Sequence, residues 1–108
     1  MSNDLNRCEF IGRLGSDPEV RFTSDNNAVA NVRLACNWKS KDNEGVEWVS
    51  VVFFGRLAEV VAEYLKKASR IFVSGRLQTR KWQDKDGQDR YTTEIVGHEL
   101  LMLDGKER

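Results

Sequence analysis

Residues 47–73 read EWVSVVFFGRLAEVVAEYLKKASRIFV, and the change of period inside them decides the fold. Glu47 to Phe54 are rich in β-branched and aromatic residues, the composition of a strand. From Arg56 to Lys67 the pattern is helical. Leu57, Val60, Val61, Tyr64 and Leu65 fall at i, i+3, i+4, i+7 and i+8, one apolar stripe of an amphipathic helix. Tyr64 is expected in the core with that stripe. Glu59 and Glu63 stand early and Lys66-Lys67 late, which suits the helix dipole. From Arg70 period two returns. Ile71, Val73 and Leu77 share one face; Arg70, Phe72, Arg76, Arg80 and Trp82 share the other.

Working outward, Asp86-Gly87 is a hairpin signal, and Arg90 to Val96 is the returning strand. Residues 98–103 add strand at the end. Upstream, residues 28–38 alternate cleanly, with Ala28, Ala30, Val32, Leu34, Cys36 and Trp38 on one parity. Residues 7–14 supply the first strand. The order is strand, strand, strand, helix, strand, strand. An all-β, five-stranded barrel with one α-helix between strands three and four is the OB-fold arrangement, a fold that binds oligonucleotides or oligosaccharides. A split β-sheet with a lone helix is the alternative this order allows.

The chain has 108 residues, which predicts one domain spanning 1–108. Lys plus Arg equals Asp plus Glu at 17 each, so any basic face must come from distribution, not net charge. No apolar run approaches the ~20 residues of a membrane helix, and the polar start, Met1 to Asn6, does not read as a secretory signal. Cys8 and Cys36 read as reduced residues of a cytoplasmic protein. With the one histidine, His98, they cannot close the usual structural zinc site. No metal or other cofactor is expected.

No catalytic set emerges. His98 lacks the partners of a hydrolytic triad. Gly12-Arg13-Leu14-Gly15 lacks the spacing of a phosphate loop. Asp84, Asp86 and Asp89 are the nearest approach to a metal-binding nuclease cluster, and a solvated hairpin loop explains them better. The chain therefore reads as a binding module and not an enzyme.

The binding signal is the interleaving of aromatic and basic residues. Trp38, Trp48 and Trp82 all stand in or beside polar segments. Between residues 70 and 82 lie Arg70, Arg76, Arg80 and Lys81, with no acidic residue. Guanidinium groups on Trp82's parity exclude a dry core there, because unpaired charges are costly to bury. Cations for phosphates and rings for bases are what a single strand needs. On the third strand Trp48 and Phe54 share one parity and Phe53 the other, so one set is core; periodicity does not say which. Phe10 and Phe72 read equally as core or interface.

Several blocks, taken together, resemble the bacterial and phage single-stranded DNA-binding protein family. They are Gly12 to Arg21, Ala28 to Ala35, Val52 to Glu59, Gly75 to Trp82 and Gly87 to Glu94, in the family's order. The likeness covers residues 5–103. It implies an OB-fold that binds single-stranded DNA without regard to sequence, wraps it around a homotetramer, and protects replication, recombination and repair intermediates. It further implies base stacking on Trp48, Phe54 and Trp82, and on Trp38 through a shorter loop. Arg7, Arg56, Arg76, Arg80 and Lys81 become the phosphate contacts.

Departures from the family accompany these matches. Val49 stands where a histidine is common at the subunit interface, which makes a homodimer the fallback. Asn26-Asn27 replace small residues, often glycines. The chain stops at Asp104-Gly105-Lys106-Glu107-Arg108, without the family's flexible linker and acidic tip. A trimmed chain or a tail-less phage or mobile-element relative is expected, and recruitment of repair proteins by such a tip is not. The expected location is the cytoplasm, on the nucleoid or in a phage host. The competing reading is a primosomal or recombination accessory with the same fold, acting mainly through protein contacts.

Overall fold

The computed structural model describes residues 3–104. Its elements are β1 (Cys8–Leu14), β2 (Glu19–Phe22), β3 (Ala28–Lys39), β4 (Glu44–Phe54), α1 (Gly55–Tyr64), β5 (Arg70–Gln83) and β6 (Asp89–Met102). The sheet runs β1-β5-β6-β4-β3-β2, and β1 also pairs with β3 through Arg13–Ala35 and Leu14–Leu34. That second pairing closes a five-stranded barrel from β1, β3, β4, β5 and β6, with α1 between β4 and β5. The OB-fold arrangement expected from the order of elements is present.

The core is built from the inward parity of each strand. Leu34, Val51, Phe53, Ile71 and Val73 are fully buried, together with Val61 of α1. Phe53 thus takes the inward position on β4, and Trp48 and Phe54 turn outward. A Cβ at Gly97 would lie 2.3 Å from Phe53 Cε1, so only glycine lets this ring fill the barrel beside β6.

Four features depart from the sequence expectation. The first is β2, a four-residue strand that pairs with residues 28–31 of β3 outside the barrel. All four of its residues are exposed, so it carries no core alternation to betray it.

The second is the helix, which ends at Tyr64 instead of Lys67. One local and two tertiary hydrogen bonds stop it. Lys66 N–H donates to Ser69 Oγ at 3.0 Å, Lys67 N–H to Asp17 Oδ1 at 2.8 Å, and Ala68 N–H to the Leu14 carbonyl at 2.9 Å. A backbone donor spent there cannot continue the helical ladder. Lys66 and Lys67 therefore lie beyond the last turn, and the first turn holds no acidic residue, so the expected dipole pattern is not realised.

The third is Tyr64, which is 58% exposed and not core. Burial centres on Ala58 and Val61, and the last helical residue overhangs their edge.

The fourth lies in β6, where residues 90–96 and 98–103 form one strand with a bulge. Ser74 pairs with Glu99 but Gly75 pairs with Gly97, which leaves His98 unmatched. An unmatched residue shifts the alternation by one. Ile95 is buried before the bulge, Leu100 packs inward after it, and the sequence therefore looks like two segments.

Residues 1–2 and 105–108 lie outside the described residues, and the expected polar start and tail fall partly on them.

Candidate nucleic-acid interface

One outer face of the barrel gathers most of the expected site. Its central row crosses five strands in register: Glu19, Asn31, Val52, Val96 and Arg76. Above it stands Arg21–Val29–Phe54. Below it, Arg33 pairs with Ser50 and Ala35 with Trp48 on the β3–β4 arm. On the β5–β6 arm Gln78 pairs with Glu94, Arg80 with Thr92, and Trp82 with Arg90.

Val29, Val52 and Val96 form a small buried cluster of their own on this face, separate from the core. The face therefore has an apolar floor with aromatic and cationic side chains standing around it.

Trp48, Phe54 and Trp82 are 47%, 51% and 42% exposed. Specific contacts fix the two indoles. Trp82 donates its indole N–H to Thr92 Oγ1 at 2.8 Å. Trp48 lies against Gly15, where a Cβ would come within 2.4 Å of Cζ3. Its indole also carries the Arg33 guanidinium, whose Cζ is 4.8 Å from the ring centroid. Phe54 is extended, at the point where β4 turns into α1 through Gly55 at φ +62.

The cations are arranged less simply. Arg80 Nε donates to Glu94 Oε2 at 3.1 Å, and Gln78 donates to the same oxygen at 3.4 Å. Glu94 is 7% exposed, a buried carboxylate on a face expected to be basic. Its ion pair leaves the Arg80 terminal nitrogens with no partner among the described residues. Arg76 Nη1 donates to Gln78 Oε1 at 3.1 Å. Arg21, Arg33 and Arg80 line a cleft of about 390 Å³ together with Ser16, Asn31, Ser50 and Thr92. Asp17, Glu19 and Glu94 line it too, so the charges there are balanced three against three.

The remaining predicted residues are not brought onto this face. Trp38 has the parity of Leu34 and Cys36, and packs over Gly45 on the other side of the β3–β4 arm. Lys81 has the parity of Tyr91 on the other side of the β5–β6 arm, with Nζ 3.3 Å from Asp89. Arg56 is exposed in the first turn of α1, 3.4 Å from Glu59. Arg7 pairs with Glu9 at 3.1 Å and lines a separate shallow depression with Ser74, Gly75, His98 and Glu99.

Arg21, Arg33 and the valine floor were missed by sequence reasoning. Alternation places Arg33 and Val29 outward, but only the strand register puts them beside Trp48 and Phe54.

The acidic loop expected between β5 and β6 is organised by Asp84. Its Oδ1 accepts from Asp86 N–H at 2.9 Å and Gln88 N–H at 3.0 Å, and its Oδ2 from Arg90 Nε at 2.9 Å. These bonds, the Gln88 amide foremost and then the Arg90 guanidinium, hold its carboxyl below the usual carboxylate value. Burial, reinforced by nearby Glu47, pushes the Cys36 thiol up, away from thiolate reactivity.

The model of the single-strand binding protein family matches residues 5–103. The chain belongs to that family. A solved structure from Plasmodium falciparum, an SSB complex with ssDNA, superposes with a TM-score of 0.88. It is 29% identical in sequence, and the match covers 96% of this chain and 99% of that one. Among the described residues no helix is long and apolar enough to cross a membrane.

Proposed function

We infer that the protein binds single-stranded DNA on the outer face of the barrel, by stacking bases and contacting phosphates, whatever the sequence. The observation that carries this is the gathering of Trp48, Phe54 and Trp82 on one face with Arg33, Arg76 and Arg80. A ring stacks on any base, and base–aromatic stacking is worth roughly 1–3 kcal/mol per base. Replication, recombination and repair, where single strands arise, are the settings in which the family works. The accessory-protein reading has no observation that favours it. The family consists of non-catalytic DNA binders.

Trp48, Phe54 and Trp82 are the stacking residues of this proposal, and Arg76 and Arg80 its phosphate contacts, joined by Arg21. Trp38 and Lys81 serve a strand that wraps past the edges of the two arms. Arg7 and Arg56 extend the same path around the barrel. The whole chain acts as one domain, in the cytoplasm.

A homotetramer is proposed, with a homodimer as the simpler assembly. Among the described residues β3 pairs only with Arg13 and Leu14 of β1, which leaves Cys8 to Gly12 an open backbone edge. Next to it the outer side of the sheet carries Ile11, Phe72 and Leu101 in one cross-strand row. An open edge beside an apolar row suits pairing with a second copy.

The test is a fluorescence-anisotropy titration of labelled oligo-dT against the wild type and the Trp48→Ala and Trp82→Ala variants. Wild-type binding that weakens in both variants supports the reading. A folded wild type that leaves the oligonucleotide free contradicts it.

A further inference from the structure

Trp48 is flanked by Gly15 and Arg33, two residues that are themselves joined through the backbone. Gly15 N–H donates to the Arg33 carbonyl at 2.9 Å, which fixes these two residues against each other. The bare Cα of Gly15 then receives the six-membered edge of the Trp48 indole. Arg33 sends its side chain over that same ring, with Cζ 4.8 Å from the centroid. The ring and the guanidinium come from adjacent rows of β4 and β3, Ala35–Trp48 and Arg33–Ser50.

We propose that Arg33 is a positioning residue for Trp48: it occupies one face of the indole, holds the ring in its binding orientation, and leaves the opposite face for a base. The proposal rests on the single-stranded DNA reading and adds to it a residue with a different role from the phosphate contacts. Arg33 makes no ion pair among the described residues, although Asp17 and Glu19 line the same cleft. Its side chain lies on the Trp48 ring instead.

The physics favours this role over an independent charge contact. A guanidinium over an indole is attracted by the ring quadrupole and is more weakly hydrated than an ammonium, so it stacks at small desolvation cost. A half-exposed tryptophan without such a cover would sample other rotamers and would lose that freedom on binding. Pre-ordering the ring removes that loss from the binding free energy.

The experiment is a double-mutant cycle on oligo-dT affinity with Arg33→Gln, Trp48→Leu and the double variant, repeated over a range of salt. Arg33→Gln should weaken binding about threefold to tenfold, the range expected for losing a cation–π contact. In the Trp48→Leu background the same change should have almost no effect. The salt slope should fall by clearly less than the ~0.7 lost with one phosphate contact on a single strand. Arg33→Lys keeps the charge but not the flat stack, and should recover little of the loss. In the free protein, the Trp48 indole N–H resonance should move in Arg33→Gln.

Additive losses in the cycle, with a slope reduced by a full contact and recovery by lysine, would overturn the proposal and make Arg33 an ordinary phosphate contact. An unchanged affinity and an unmoved indole resonance would overturn it by making Arg33 a bystander. A wild type that does not bind oligo-dT removes the underlying reading instead, and the indole resonance still reports on the Arg33–Trp48 contact.

Discussion

Trp82 is tied to Thr92 across the β5–β6 hairpin, indole nitrogen to hydroxyl, at 2.8 Å. The bond fixes one edge of the ring while the residue stays 42% exposed. An exposed indole with its only polar atom already satisfied is set to offer its faces. Trp82→Ala should therefore weaken oligo-dT binding by roughly 1–3 kcal/mol and hardly change thermal stability. Thr92→Val should weaken binding less, by freeing the ring without removing it. Titration and thermal melts of both variants check this. A Trp82→Ala protein that melts far lower but binds normally when folded would put the ring in a structural role.

Salt should weaken binding, because phosphate contacts release counterions. Each contact contributes about −0.7 to the log–log slope for a single strand. Arg76→Ala should make the slope shallower by about one contact. Glu94→Gln should make it no shallower, since Arg80 loses its 3.1 Å carboxylate partner but keeps its charge. Affinity that stays flat from low to moderate salt would contradict the electrostatic half of the account.

The 84–88 loop should loosen in acid. The Asp84 carboxyl is held below its ordinary value in the folded state. A depressed carboxylate stabilises the fold above its unfolded pKa, and that contribution is lost as pH falls through the folded value. The loss should begin near pH ~4, the ordinary aspartate range, and complete below it. Asp84→Asn should abolish this acid response. Amide exchange at Asp86 and Gln88 across that pH window reads it directly, and identical acid profiles in the two proteins would contradict it.

Assembly should run through the open edge of β1 and the row Ile11–Phe72–Leu101. Light scattering at micromolar concentration should give a tetramer, with a dimer as the simpler outcome. Ile11→Lys combined with Leu101→Lys should reduce the particle mass while the barrel stays folded. A wild type that is monomeric under those conditions would remove wrapping from the account and leave only the stacking face.

Much of this architecture was legible because the buried faces are strict. Ala28, Ala30, Val32 and Leu34 alternate without error, and the stripe from Leu57 to Leu65 marks a helix. What the sequence concealed had physical reasons. The exposed strand β2 buries nothing, so no pattern marks it. The helix end depends on Asp17 and Leu14, both far away in the chain. The bulge at His98 breaks the alternation of β6 into two phases. The site was legible as residue types, since Trp82 among arginines cannot be core. Its geometry was not: whether Trp48 or Phe53 faces outward, that Trp38 and Lys81 lie on the opposite sides of their arms, and that Arg33 covers Trp48 all depend on strand register.

The most direct test of the central claim is intrinsic tryptophan fluorescence during titration with oligo-dT. If Trp48 and Trp82 stack on bases, saturation should quench most of the emission, and the Trp48→Phe and Trp82→Phe variants should each lose a distinct share of that quenching. Saturable binding, established by anisotropy in the same buffer, that leaves the emission of the wild type unchanged would contradict stacking on this face.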